Sequence, residues 1–200
     1  MKQPLGVILA GGQATRMGGG DKGLRLLGGQ SLLVRVMARL APQVADVALN
    51  ANGDSARFAD LGLPVIADNI TGFAGPLAGV LAGMDWAAEH GAETIVTAAA
   101  DTPFFPCDLV PQLLLASEGM AHPLVLAVTP DPVRGRARHP TFGLWPVALR
   151  DDLRAALDGG LRKVVLWTDA HGGREAFFLD EAAFFNVNTP DDLAQAEAML

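Results

Sequence analysis

Leu5-Gly-Val-Ile-Leu-Ala-Gly-Gly-Gln-Ala-Thr-Arg-Met-Gly-Gly-Gly-Asp-Lys22 is an apolar run, Leu5 to Ala10, that stops at a glycine-rich loop carrying Arg16 and Lys22. The run reads as a short buried strand bounded by turn signals. Gly11 and Gly12 let a ligand approach the main chain closely. Free backbone N–H groups in such a loop bind anions, and two cations add charge. Together they suit a triphosphate held at the end of a strand. A tight turn would account for Gly11-Gly12, but not for so long a glycine-rich loop ending in a lysine. Gly18 to Gly23 fits G-x-G-x-x-G formally. It does not directly follow the strand and holds a lysine, so the dinucleotide-binding context fails. Nor is this a Walker A loop, because Gly23 follows Lys22 where Ser or Thr is required.

Beyond that segment, alternating apolar runs and helical patterns predict an α/β fold, three layers with a mainly parallel central sheet. Strands are expected at 5–9, 44–49, 64–67, 94–99, 124–128, 141–144 and 176–179, and helices at 31–40, 77–90, 108–117, 146–157, 161–169 and 190–199. Strand–helix alternation holds through the first 120 residues, and the later part is more mixed. Thr189, Pro190, Asp191 and Asp192 mark a helix start: an N-cap, a proline at the first helical position and acids at the positive end. Gly28-Gly29, Gly159-Gly160 and Gly172-Gly173 read as turns.

The 200 residues suit a single domain with a full core, half of them hydrophobic and 18% charged. The net charge of −7, with no basic block, excludes a general nucleic-acid binder. One cysteine, Cys107, precludes an internal disulfide and fits a reducing compartment. No apolar stretch approaches the roughly 20 residues of a membrane span, and a cytoplasmic monomer is expected.

Further candidates lie at predicted strand ends. Asp101, in Ala98-Ala-Ala-Asp-Thr-Pro103, follows a buried strand and is a natural magnesium ligand if it faces the phosphate loop, though Asp-Thr-Pro is also an ordinary turn. Asn50, Asn52 and Asp68 end two strands and offer donors and acceptors for a base or ribose. Gly72-Phe-Ala-Gly-Pro-Leu-Ala-Gly79 opens a long helix, either as a second anion site or for close packing. Arg134, Arg136, Arg138 and His139 form a basic patch suited to a phosphate-bearing acceptor or to solvent. Asn186 and Asn188 alternate, so an extended segment points both to one face.

These residues resemble a known superfamily. Leu9-Ala-Gly-Gly12 with Arg16-Met-Gly18 and Lys22 is similar to the signature of nucleotidyltransferases with a Rossmann-like fold. Adding Asn50-Ala-Asn52, Val65-Ile-Ala-Asp68, Gly75-Pro-Leu-Ala-Gly79, Asp101-Thr-Pro103, His139-Pro-Thr141 and Asn186-Val-Asn-Thr-Pro190, the chain resembles the molybdenum cofactor guanylyltransferases over nearly its whole length. The resemblance implies GTP binding by Leu9, Ala10, Gly11, Gly12, Lys22, Asn50, Asp68 and Asp101, with Mg²⁺ on Asp101. It makes Arg16, Lys22 and Asp101 the catalytic set. The molybdopterin side falls to Gly79, Arg138, His139, Asn186 and Asn188. Ala100 stands where some relatives are expected to carry cysteine, a difference without consequence for an oxygen-ligand metal. The implied reaction is transfer of GMP from GTP to the phosphate of molybdopterin. Docking with molybdoenzymes or cofactor chaperones is compatible with it. The alternatives are a molybdopterin cytidylyltransferase, a sugar- or polyol-phosphate nucleotidyltransferase, and a non-catalytic carrier of the finished cofactor. Leu-Ala-Gly-Gly rather than Leu-Ala-Ala-Gly favours guanine, and Arg16, Lys22 and Asp101 argue against a pure carrier.

Overall fold

A computed structural model describes residues 2–11, 21–70 and 75–200. The opening apolar run is β1 (Leu5–Leu9), and it lies in the middle of the sheet. It pairs in parallel with β4 (Val47–Asn50) on one side and β6 (Thr94–Ala99) on the other. A strand covered on both faces has no need of polar alternation, which is why Leu5–Leu9 reads as continuously apolar. β5 (Val65–Ile66) adds to β4 in parallel. Beyond β6 come β8 (Gly135–Pro146), antiparallel, then β7 (Val125–Asp131) and β9 (Arg174–Phe177). Of the seven strands only β8 runs against the rest, giving the order β5-β4-β1-β6-β8-β7-β9. The mixed character expected after residue 120 is this reversed strand. A separate hairpin, β2 (Leu26–Leu27) and β3 (Gln30–Ser31), turns on Gly28 and Gly29, both at positive φ.

Successive side chains of each strand serve opposite faces. Ile8, Leu49, Val96 and Ala98 pack with Leu33, Val36 and Leu40 of α1 (Leu32–Leu40) and Leu109, Val110 and Leu113 of α3 (Leu109–Ala116). Val7, Ala48 and Ile95 pack instead with α2 (Pro76–Glu89), α4 (Arg150–Asp158) and α5 (Val164–Ala170). The result is three layers, as expected from the alternation. α2 is buried almost all round, and Gly79 and Gly83 are what let it sit so close. A Cβ on Gly83 would lie 2.8 Å from Val7 and 2.9 Å from Ile95. The last helix, α6 (Pro190–Glu197), starts at Thr189 as read, with a capping box closed by Asp192.

Several boundaries differ. β4 begins at Val47 rather than Val44, because Val44 to Asp46 bend in from a 3-10 turn. Residues 147–149 form a 3-10 turn before α4, and α5 starts at Val164, after the Gly159-Gly160 turn. The largest difference is β8, which begins at Gly135 and not Thr141. Its first half is a polar arm whose arginines hide the period of two. Among the described residues no helix is long and apolar enough to cross a membrane.

Candidate active site

β1, β4, β5 and β6 all deliver their C-terminal ends to one edge of the sheet, where open α/β sheets bind ligands. Main-chain bonds lock the edge together: Ala10 donates to the Asn50 carbonyl at 2.9 Å, and Ala100 to that of Leu9 at 3.0 Å. Leu9, Ala10, Asp21, Lys22, Gly23, Leu33, Phe58, Ala100 and Asp101 line a cavity of about 70 Å³ there. Gly11 follows at the mouth, where a Cβ would stand 3.6 Å from the Asn50 side-chain oxygen. Gly12 and Arg16 lie outside the described residues, as do residues 71–74 of the Gly72–Gly79 stretch.

Lys22 starts a 3-10 turn whose Gly23 is pressed against α1. A Cβ at Gly23 would come within 2.6 Å of Leu33. This is why glycine follows the lysine, the feature that separates the segment from a Walker A loop. From there the Lys22 ammonium donates to Asp101 Oδ2 at 2.7 Å and to the side-chain oxygen of Asn188. Both Lys22 and Asp101 are about three-quarters buried, so solvent screens the pair only in part.

The end of β6 is tied to the segment before α6. Val187 N–H donates to the Asp101 carbonyl at 2.8 Å. The Thr102 hydroxyl bridges Asp101 and Asn186. Val187 is fully buried while its two asparagine neighbours reach the edge, the alternation read from the sequence. Asp192 accepts the N–H groups of Asn188 and Thr189, each at 2.8 Å. The Asn188 bond is the main cause that holds its carboxyl below the usual aspartate range.

On the other side of the cavity Asn50 is buried and donates to Asp68 at 2.9 Å. Asn52 and Asp68 exchange a reciprocal pair at 2.8 and 2.9 Å. Asn50, Asn52 and Asp68, brought from two strands, form one hydrogen-bonding unit.

Other candidates are placed differently. Gly79 is buried in α2, and a Cβ there would stand 2.3 Å from the Asn50 side-chain oxygen and 2.8 Å from Leu9. The glycine makes room for Asn50, which is the close-packing reading of this stretch. Arg138 is not a free phosphate-binding cation. It donates to Glu175 at 2.7 Å and Asp169 at 3.0 Å, and Asp169 is the main cause that raises its pKa, followed by Glu175. Arg136 also pairs with Glu175, at 3.0 Å. His139 points to the opposite face, stacks on Phe184 with centroids 4.2 Å apart, and meets the Thr129 hydroxyl at 2.9 Å. Burial lowers its pKa to about 4, so the ring is neutral near pH 7.

Sequence reading passed over Asp21, Arg57 and Phe58. Nothing marks a lone arginine and phenylalanine in a polar connection, whereas Asp21, adjacent to Lys22, was within reach. Among the described residues no three or more His, Cys, Asp or Glu cluster as a metal centre. Mg²⁺ needs no such cluster, because it takes one or two carboxylates together with substrate phosphates and water. Asp101, with the Thr102 and Asn186 oxygens beside it, offers the hard donors that would suit it.

The model of the MobA-like NTP transferase domain matches residues 6–172. The chain is 51% identical to a molybdenum cofactor guanylyltransferase of Cereibacter sphaeroides, over 98% of this chain and 96% of that one. It is 50% identical to one from Mesorhizobium japonicum, over 98% and 95%. Among solved structures, molybdopterin-guanine dinucleotide biosynthesis protein A from Archaeoglobus fulgidus superposes with a TM-score of 0.71 at 23% identity, over 98% and 97% of the two chains. A 4-diphosphocytidyl-2C-methyl-D-erythritol synthase from Anaerococcus prevotii reaches 0.76 at 13% identity, over 99% and 96%. The structural likenesses speak for the fold, and the sequence identities for the family: the chain belongs to the MobA-like NTP transferases and, among them, to the molybdenum cofactor guanylyltransferases.

Proposed function

We propose that the protein transfers GMP from GTP to the terminal phosphate of molybdopterin, releasing pyrophosphate and forming the guanine dinucleotide cofactor. The observation that carries this reading is the junction of Lys22, Asp101 and Asn188, three distant points of the sequence joined beside one cavity at the C-terminal edge of the sheet. An acceptor phosphate oxygen attacks the α-phosphorus as the bond to the β-phosphate oxygen breaks. That oxygen is already ionised, so no protein base is needed, and the protein contributes positioning and charge stabilisation. Lys22 neutralises the charge that grows on the leaving pyrophosphate, and Arg16 is assigned the same task. Leu9, Ala10, Gly11 and Gly12 supply main chain that a phosphate can approach. Asp101 is the residue that would hold Mg²⁺, whose chemistry there is neutralisation of the phosphates during transfer. Asn50 and Asp68 read the base, and a mismatch is costly because polar groups of the wrong base would go unpaired. Asn186 and Asn188 face the acceptor. A monomer in the cytoplasm that hands its product to molybdoenzymes or cofactor chaperones completes the reading.

Purified protein, molybdopterin and Mg²⁺ with GTP should release pyrophosphate and yield the dinucleotide, and CTP should not replace GTP. Equal turnover with CTP would overturn the guanine assignment. Tight binding of the dinucleotide without pyrophosphate release would favour the carrier.

A further inference from the structure

Asp21 is an odd neighbour for a phosphate-binding lysine. Its carboxylate lines the same cavity as Lys22 and Asp101, where an uncompensated negative charge repels a triphosphate. The structure covers it with Arg57. The Arg57 guanidinium donates from Nε to Asp21, and its terminal nitrogens donate to the main-chain carbonyl of Asp54 and, at 2.6 Å, to that of Asn52. The same guanidinium lies over the ring of Phe58, 4.5 Å from its centre, and Phe58 is a wall of the cavity. The Arg57 and Asp21 side chains are 30% and 22% exposed, so water weakens the pair only in part.

Asn52 is the second end of this connection. It holds Asp68 by the reciprocal bonds that set that carboxylate beside Asn50. One planar group thus ties the segment that carries Lys22 to the segment that orients Asp68. We infer that Arg57 is a positioning residue for GTP: it neutralises Asp21 and fixes the spacing between the lysine that meets the phosphates and the pair that reads the base. The inference rests on the guanylyltransferase reading. A planar fork is needed because its donors reach three oxygens at once, which the single ammonium of lysine does not reproduce.

The test is GTP affinity measured by calorimetry without acceptor, so that no turnover enters, on wild type, R57Q, R57K, D21N and the D21N/R57Q double variant. Thermal unfolding controls for the fold. R57Q should bind GTP about tenfold more weakly, as expected when one member of a coupled charged network is removed. R57K should recover part of that loss, because it keeps the charge but not the fork. With Asp21 already neutral, R57Q should cost clearly less, so the effects of the two substitutions should not add. In turnover, the R57Q defect should fall on KM for GTP more than on kcat. Unchanged GTP affinity in R57Q, or effects that simply add in the double variant, would overturn the inference while leaving the function intact. A wild-type protein that does not bind GTP would remove the function and the inference together.

Discussion

Lys22 and Asp101 neutralise one another across 2.7 Å, and under the proposed function a triphosphate competes for that lysine. Lys22→Ala should therefore remove charge stabilisation where it grows in the transition state. Turnover should fall about 10²- to 10³-fold, the range for loss of one preorganised donor, with the unfolding midpoint little changed. A steady-state assay paired with a thermal scan checks both halves, and near-normal turnover would release Lys22 from its role. His139 makes a different kind of prediction. Its pKa lies at about 4 in the folded protein because burial disfavours the charged ring, against 6.5 when unfolded. The unfolded chain then takes up a proton that the native ring refuses. Stability from this residue is full above pH 6.5 and is lost as pH falls toward about 4. Urea titrations of wild type and His139→Gln at pH 7 and pH 4.5 should show the wild-type advantage shrinking at the lower pH.

α2 shows what the sequence could and could not reveal. The sequence predicts a long helix at 77–90, and α2 runs from Pro76 to Glu89 with apolar residues at nearly every position. Gly79 was ambiguous, since a glycine near a helix start serves a ligand or a tight contact equally well. The tight contact is visible only in the distance to Asn50, 29 positions away in sequence. Gly79→Ala must displace the Asn50 side chain. We expect a loss of roughly 1–3 kcal/mol, typical of an overpacked core, and weaker GTP binding, measured by urea unfolding and calorimetry. β8 was misjudged for a related reason. Arg136, Arg138 and His139 look like a solvated patch until β9 supplies Glu175, α5 supplies Asp169 and the 3-10 turn at 182–184 supplies Phe184. Partners that come from distant segments leave no trace in local pattern.

Taken as a whole, the parallel half of the sheet was the most legible part. β1 and β6 were read at their observed limits because strands covered on both sides are apolar throughout and end sharply. The site's outline was legible for the same reason, since Asn50, Asp68 and Asp101 end strands that one sheet brings level. What was not legible is how β8, β7 and β9 close the other half, which depends on pairings between distant segments. Protection should follow this division. In hydrogen–deuterium exchange, amides of β1 and β6 should be slowest, and those of β9 and residues 131–138 fastest. Rapid exchange in β1 would contradict the buried central strand.

The bond from Val187 to Asp101, with Asn188 on Lys22, also orders events during synthesis. Lys22 leaves the ribosome 166 positions ahead of Asn188, one of the partners that finish its surroundings. A nascent chain can thus assemble much of its sheet while its nucleotide cleft still lacks a side. The cleft is complete only once Val187 and Asn188 have been made, so a chain still short of them is poorly equipped to consume GTP.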